Sequence, residues 1–304
     1  MSAMIFLFFL GLFMLILGGD SFAEHVSALA ARLRVPPIIV GATVAAVGTT
    51  LPELSVSVKA ALSGAGEITT GTAFGSIICN SCLIGGLCAL LLPSSDLWRK
   101  DIVKRLFFFL LAACFIALSA AKTEELGVGL GIILLSILAI YALTNRQDNI
   151  SGANINSERP ELICVGLLVG AAALYLGSGM LVDNGILLAE IIGMPPKTVA
   201  LTFIAAGTSL PELTMAVFAA RRGRSGLAIG TLIGANILNL LLVLGLPAVI
   251  TPIAADREIY RDITSATVAM AALIMPPAFR GRTYRWQGVV LLLMYAGYIV
   301  INFI

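Results

Sequence analysis

The sequence predicts an all-α, polytopic membrane protein with ten transmembrane helices arranged as two inverted five-helix repeats. Three observations lead to this prediction: the composition, the distribution of basic residues and an internal repeat. Of the 304 residues, 59% are hydrophobic and only 12% are charged, and the mean hydropathy is +1.01. A soluble domain carries about 25% charged residues. Apolar stretches long enough to cross roughly 30 Å of hydrocarbon recur along the whole chain.

The apolar stretches define the predicted helices. Four of them, the second, third, seventh and eighth, are rich in Gly, Ser, Thr and Asn. Such residues favour contact with protein or water over contact with lipid. The ten predicted spans are 3–22, 37–62, 70–92, 104–121, 126–144, 161–182, 197–220, 226–250, 263–279 and 287–303.

Basic residues set the expected orientation. Most of the 19 lysine and arginine residues fall in the loops that follow odd-numbered spans. Because cytoplasmic loops are enriched in Lys and Arg, both termini are expected outside a plasma or inner cell membrane. Residues 145–160, the longest polar segment, are then a cytoplasmic linker between a first repeat, 1–144, and a second, 161–304.

The two halves repeat each other without a gap at an offset of 159 residues. Segment 46–54, AVGTTLPEL, matches 205–213, AAGTSLPEL, and segment 75–80, GSIICN, matches 234–239, GANILN. Five spans per half is an odd number, so the second copy must insert upside down. Secondary transporters use this design and place their substrate where the repeats meet. The alternative is a structural duplication without a shared site.

The first motif combines a helix breaker with oxygen-bearing side chains. Pro52 has no N–H to donate to the Gly48 carbonyl, so the helix is expected to open and leave carbonyls near Ala46 without donors. Thr49 and Glu53 are four residues apart and share a helix face. Thr208 and Glu212 repeat this arrangement in the second half.

The neighbouring helices add hydroxyl and amide groups. Ser76 and Asn80 are also four residues apart, while the second half carries Ala235, Asn236 and Asn239. Oxygen-only ligation suits hard cations such as Ca²⁺ or Na⁺, and it suits Cu(I) or Zn²⁺ poorly. Two carboxylates are neutralised by one Ca²⁺, by two monovalent cations or by two protons, which is a physical basis for exchange.

At these residues the chain resembles the cation/calcium antiporter superfamily, specifically the sodium/calcium exchanger type. GTTLPEL and GTSLPEL resemble the centres of the two α-repeats of the family, and GSIICN and GANILN resemble their second helices. The resemblance implies that two long helices, the first and the sixth, slide across the core to switch access.

The resemblance also implies a set of site residues. Calcium ligands would be Glu53, Glu212, Thr49 and Thr208, and sodium ligands would be Ala46, Thr50, Ser76, Ala205 and Ser209, with Asn80, Asn236 and Asn239 as further lining residues. Two positions depart from the family pattern: Ala235 replaces a common serine and Asn239 replaces an aspartate. These departures bear on the sodium sites and leave calcium ligation intact.

The expected function is therefore secondary active antiport of Ca²⁺ against Na⁺ by alternating access. A Ca²⁺/H⁺ antiporter is the alternative, and K⁺ also stays open as a driving ion. A channel is disfavoured, because an occluded site between inverted repeats is a transporter feature. The sequence shows no nucleophile–base set and no cofactor loop, so neither enzymatic activity nor a cofactor is expected. The expected partners are the two ions and the lipid bilayer, with no nucleic acid and no obligate protein partner.

Overall fold

The structure is a computed structural model that describes residues 2–33, 40–64, 66–91, 99–144, 159–191, 205–255 and 258–303. Within these ranges the regular structure is helical apart from one short two-stranded ribbon. The predicted all-α class is therefore confirmed. Most of the predicted linker, and the starts of the second and seventh predicted spans, lie outside the described residues.

The first half contains two helical stretches that are interrupted by π-helical turns or by a break. In chain order its elements are α1 (Ser2–Leu33), a π-helical turn (Gly41–Ala45), α2 (Ala46–Thr49), α3 (Leu51–Leu62), α4 (Gly66–Ile78), a second π-helical turn (Cys79–Ile84), α5 (Gly85–Leu91), α6 (Arg99–Thr123), β1 (Glu125–Leu126) and α7 (Val128–Thr144).

The second half follows a similar order. Its elements are α8 (Pro160–Ile191), α9 (Ala205–Thr208), α10 (Leu210–Arg221), α11 (Ser225–Leu238), a π-helical turn (Asn239–Leu244), α12 (Gly245–Ile250), β2 (Ile253–Ala254), α13 (Glu258–Arg280) and α14 (Arg285–Phe303). β1 pairs antiparallel with β2, with Leu126 opposite Ile253, and so ties the α6–α7 connection to the segment after α12.

Several helices are long and apolar enough to cross a membrane. Six stretches in the described residues meet both criteria: Ser2–Leu33, Ile68–Leu91, Asp101–Thr123, Pro160–Gly177, Ser225–Ile250 and Glu258–Arg280. Val128–Thr144 and Arg285–Ile301 are shorter apolar helices. The chain is therefore a multi-pass helical membrane protein.

Burial separates a central group of helices from a peripheral pair. In the most apolar part of the α11–α12 stretch 94% of the residues are buried, and in the α4–α5 stretch 72% are. The corresponding share is 22% for α1 and for α8, which pack against each other. The polar helices 66–91 and 225–250 thus lie inside the protein, as their composition predicted.

The two peripheral helices are longer than predicted. The spans 3–22 and 161–182 were bounded where hydropathy falls, but α1 and α8 each run for 32 residues. At 1.5 Å per residue each is roughly 48 Å long, which exceeds the hydrocarbon thickness. The polar end of α1 is held by protein contacts: the Arg222 guanidinium lies 2.8 Å from the Asp20 carboxylate and 3.2 Å from that of Glu24. A hydropathy boundary cannot register such contacts.

Local features recur at equivalent positions of the two halves. The motif helices break at Thr50, with φ −82° and ψ 1°, and at Ser209, with φ −88° and ψ 5°. The turns that follow α3 and α10 each contain a glycine at φ +72°, Gly64 and Gly223. A left-handed residue suits glycine because it has no Cβ to clash. The sequence repeat is thus also a repeat of backbone structure.

One close helix crossing sets the position of the first motif. A Cβ on Gly41 would lie only 2.6 Å from the Leu227 carbonyl oxygen of α11, and a Cβ on Gly234 would overlap Ala42. Both glycines therefore allow the first π-helical turn to contact α11 directly. This contact brings α2 beside the polar residues near the end of α11.

Candidate functional site

Both motif glutamates lie in the first turn of a helix that begins after a break. Glu53 follows Pro52 in α3, and Glu212 follows Pro211 in α10. The positive end of a helix dipole favours an anionic side chain at this position.

The break before Glu53 differs from expectation in one respect, because the Ala46 carbonyl keeps its usual hydrogen-bond partner. It accepts a hydrogen bond from Thr50 N at 3.0 Å, since the chain stays close to helical up to Thr50. The missing donor of Pro52 affects the Gly48 carbonyl instead.

The two carboxylates are completely buried and almost unpartnered. Glu53 and Glu212 are each 0% exposed. Glu212 Oε1 accepts one long hydrogen bond, from Thr50 Oγ1 at 3.4 Å. The two oxygens of Glu53 and the second oxygen of Glu212 have no hydrogen-bond partner, and the ion pairs found in the described residues all lie elsewhere. Two such carboxylates cannot both be charged in a buried site unless cations accompany them.

Hydroxyl groups surround the carboxylates, and they come from both halves. Thr49 and Thr50 of the first half lie against Glu212, whereas Ser209 of the second half lies against Glu53. Ser76, on α4, also lies against Glu53. The two motifs therefore complete each other, and neither half forms the site alone.

The predicted hydroxyl and carbonyl ligands differ in whether they already have hydrogen-bond partners. Thr49 is 0% exposed and donates to the Ala46 carbonyl oxygen at 3.3 Å. The hydroxyls of Ser76 and Ser209 have no partner. Thr208 is also buried and makes an interaction. Ala205 begins α9, and its side chain lies outside the described part.

The three predicted lining amides occupy different environments. Asn80 lies in the second π-helical turn and Asn239 begins the third. Both are buried, and the oxygen of each side-chain amide is unpartnered. The Asn236 amide oxygen is likewise unpartnered among the described residues, while its Nδ2 donates to Ser81 Oγ at 2.7 Å and approaches Met270 Sδ at 3.3 Å. π-helical turns inside helices are frequent at functional sites.

The donor set of this cluster is made of oxygen atoms. In the described part of the chain, no group of three or more His, Cys, Asp or Glu side chains is placed to hold a metal ion. Carboxylate and hydroxyl oxygens from both motifs nevertheless lie close together around Glu53 and Glu212. Such a set suits a hard cation, which takes about six to eight oxygens in the case of Ca²⁺.

Comparison with known proteins assigns the family. A family model described as "Sodium/calcium exchanger protein" matches residues 3–146 and 162–304. The chain belongs to this family. The matched residues lie in both halves of the chain. The exchanger type that the motifs predicted is thereby confirmed.

Relatives of the exchanger chain cover almost all of its length. It is 34% identical to the inner membrane protein YrbG of Escherichia coli, over 97% of this chain and 94% of that protein. It is 32% identical to the putative antiporter CaxA of Alkalimonas amylolytica, over 95% of both. It is also 29% identical to the sodium/calcium exchanger MaX1 of Methanosarcina acetivorans, over 97% of both chains.

Solved structures show the same architecture. The exchanger chain matches the sodium-calcium exchanger NCX_Mj, soaked with 2.5 mM Na⁺ and 0.1 mM Ca²⁺, with a TM-score of 0.86 and 28% identity over 98% of both chains. A form soaked with 100 mM Na⁺ and 10 mM Sr²⁺ gives a TM-score of 0.87. The chain is therefore a cation/Ca²⁺ antiporter of this family by sequence and by fold.

Two buried polar residues, Ser57 and Thr69, lie near Glu53 but outside the repeated motifs. Ser57 lies one helical turn after Glu53 and is 0% exposed, and Thr69 of α4 donates to the Ser57 carbonyl oxygen at 3.2 Å. The spacing of four residues between Glu53 and Ser57 was visible in the sequence. The contact between α3 and α4 was not.

Proposed function

We propose that this protein exchanges Ca²⁺ for Na⁺ across the cell membrane by alternating access. The observation that carries the proposal is the pair of fully buried carboxylates, Glu53 and Glu212, with three oxygens that lack any partner. A charged group at the centre of a bilayer costs about 2.5–3.5 kcal/mol on insertion scales, so the pair requires a compensating cation. The named exchangers and antiporters among the relatives support a transport role over an enzymatic one.

In the proposed architecture, ten membrane helices form two inverted five-helix repeats. The motif helices supply the second and seventh spans, which are interrupted at Thr50 and Ser209. Both termini lie outside, and the linker at 145–160 lies in the cytoplasm. No protein partner is required for this arrangement, and the transported ions take the place of a cofactor.

The proposed ligands follow from the cluster. Ca²⁺ binds between Glu53 and Glu212 with the hydroxyls of Thr49 and Thr208. The Na⁺ sites use the carbonyl or hydroxyl oxygens of the flanking residues, and three amides line the cavity around them. The sodium set is Ala46, Thr50, Ser76, Ala205 and Ser209, and the lining amides are Asn80, Asn236 and Asn239. Ala235 has no hydroxyl, which leaves the second half one sodium ligand short of the first.

Competition for the same charges drives exchange. One Ca²⁺ neutralises both carboxylates, and two Na⁺ ions do the same, so loading with one ion expels the other. Two protons balance the pair equally well. A Ca²⁺/H⁺ antiporter is therefore the second candidate.

The test is uptake of ⁴⁵Ca²⁺ into proteoliposomes that contain the purified protein. An outward Na⁺ gradient is expected to drive uptake, whereas pH and K⁺ gradients of the same size are not. Protein-free liposomes and liposomes with the Glu53→Gln variant serve as controls. Uptake driven by the pH gradient without Na⁺ would replace the leading assignment by the second candidate.

A further inference from the structure

The two halves differ in the polarity of the helix pair that carries each glutamate and its neighbouring helix. On the first half, Ser57, Thr69 and Ser76 face the contact between α3 and α4. Their equivalents in the second half are Ala216 on α10 and Ala228 and Ala235 on α11, which are all buried. Three hydroxyls on one side thus correspond to three methyl groups on the other.

The hydroxyls of the first half extend outward from Glu53. Ser57 follows Glu53 by four residues, so both project from the same face of α3. Thr69 precedes Ser76 by seven residues, or two turns, and therefore shares a face of α4 with it. Thr69 Oγ1 lies 3.2 Å from the Ser57 carbonyl oxygen, which places the two residues together. The pair lies between Glu53 and the α3–α4 turn at Gly64.

Two of these hydroxyls lack the hydrogen bond to a helix carbonyl that other serines of this protein make. Serine in a helix commonly donates to the carbonyl four residues earlier. Ser27, Ser55 and Ser136 do so, at 2.7, 2.8 and 2.7 Å. Among the described residues, the fully buried Ser57 hydroxyl has no hydrogen-bond partner, and neither does that of Ser76, which lies against Glu53. A buried hydroxyl without a partner costs free energy, so a ligand is expected there.

One buried hydroxyl of α11, that of Thr231, is already satisfied. Thr231, the equivalent of Thr72, donates to the Leu227 carbonyl at 2.9 Å and lies 3.3 Å from Met215 Sδ. No free oxygen corresponding to that of Ser57 exists at Ala216. The two halves therefore have equivalent helices here but differ in the oxygen atoms that these helices offer to a cation.

We propose that Ser57 and Thr69 form a cation subsite between the Glu53–Glu212 pair and the α3–α4 face of the membrane, and that the second half has no such subsite. It takes a partly hydrated hard cation, because neutral hydroxyl and carbonyl oxygens replace a few water ligands without adding charge. The proposal rests on the proposed function, in which Ca²⁺ and Na⁺ pass this point. Cations that enter from the α3–α4 face are thus held one turn before the carboxylates, whereas those from the opposite face meet Ala216 and Ala228 at the equivalent positions.

Removal of the Ser57 hydroxyl should change the apparent KM for Ca²⁺ at one face of the membrane only. In oriented proteoliposomes, Ser57→Ala is expected to raise the apparent KM for Ca²⁺ at the α3–α4 face by about three- to tenfold, the effect of one lost polar contact. The KM at the other face and the maximal rate stay unchanged. The matched variant Ala216→Ser is expected to lower the KM at the other face alone. Equal changes at both faces, or none, would overturn the proposal.

A second measurement does not depend on transport. Ser57→Cys and Ala216→Cys, in a background without the native cysteines, are treated with a small cationic methanethiosulfonate reagent from each face. Cys at 57 is expected to react from the α3–α4 face and to be protected by millimolar Ca²⁺ or Na⁺, while Cys at 216 stays unreactive. Equal reactivity of both positions, or no protection by either ion, contradicts the subsite. If the wild type exchanges no Ca²⁺ for Na⁺ but position 57 is protected, the proposed function fails and the subsite stands.

Discussion

At the scale of single residues, the site depends on carboxylates that no other side chain neutralises. Glu53→Gln and Glu212→Gln each remove one negative charge while keeping the volume of the side chain. Because Ca²⁺ needs both charges in a buried site, either variant is expected to reduce ⁴⁵Ca²⁺ exchange in proteoliposomes to the level of empty liposomes.

A matched control separates this effect from misfolding. Ser55 is on the same helix as Glu53, but its hydroxyl bonds to the Leu51 carbonyl of its own helix at 2.8 Å. Ser55→Ala should therefore exchange Ca²⁺ at the wild-type rate, and all variants should elute as one symmetrical peak in size-exclusion chromatography. A double variant, Glu53→Gln with Glu212→Gln, that still exchanged Ca²⁺ would refute the ligand assignment.

At the scale of secondary-structure elements, one side chain joins α13 to α14. Pro276 and Pro277 lie inside α13 and cannot donate to the carbonyls of Ala272 and Leu273. Gln287 of α14 supplies both donors, with its Nε2 at 2.9 Å from each carbonyl oxygen. The two prolines are thus compatible with a continuous helix only because the neighbouring helix completes its hydrogen bonds.

Loss of this contact is expected to destabilise the protein. Gln287→Leu leaves two carbonyls without partners in a region where Gln287 is only 2% exposed, at a cost of about 1–3 kcal/mol for each. Thermal unfolding in detergent should show a lower midpoint for this variant. Ser136→Ala, on an exposed face of α7, serves as the control with an unchanged midpoint. A wild-type midpoint for Gln287→Leu would show that these carbonyls find other donors.

The helices also show which features a sequence can predict. Glu53, Glu212 and their hydroxyl neighbours were predictable because the repeat marks polar residues in apolar stretches. The full length of α1 was not, since its polar end packs against other helices, with Val26, Ala28 and Ala30 buried. The π-helical turns were not predictable either, because their geometry is set by packing between helices. Another such contact runs from Arg105 to the Tyr141 hydroxyl at 2.5 Å and on to the Ala42 carbonyl at 3.4 Å.

At the scale of the whole molecule, the proposed inverted repeat accounts for the way in which the two motifs complete each other. Hydroxyls of the first half reach Glu212 and a hydroxyl of the second half reaches Glu53. An inverted repeat places two equivalent helix breaks at the same depth with opposite direction. The proposed inversion would send the α3–α4 turn to one face of the membrane and the α10–α11 turn to the other.

This inversion is testable at two equivalent, exposed positions. Leu62 ends α3 and Arg221 ends α10, 159 residues later. In a background without native cysteines, Leu62→Cys is expected to react with a membrane-impermeant maleimide on intact cells. Arg221→Cys is expected to react only after the membrane is permeabilised, because basic residues around it mark the cytoplasmic side. Since an even number of spans between two positions returns the chain to the same face, labelling of both from one side would mean that a half contains four or six spans. The ten-helix inverted arrangement would then be wrong, and with it the one-sided subsite at Ser57.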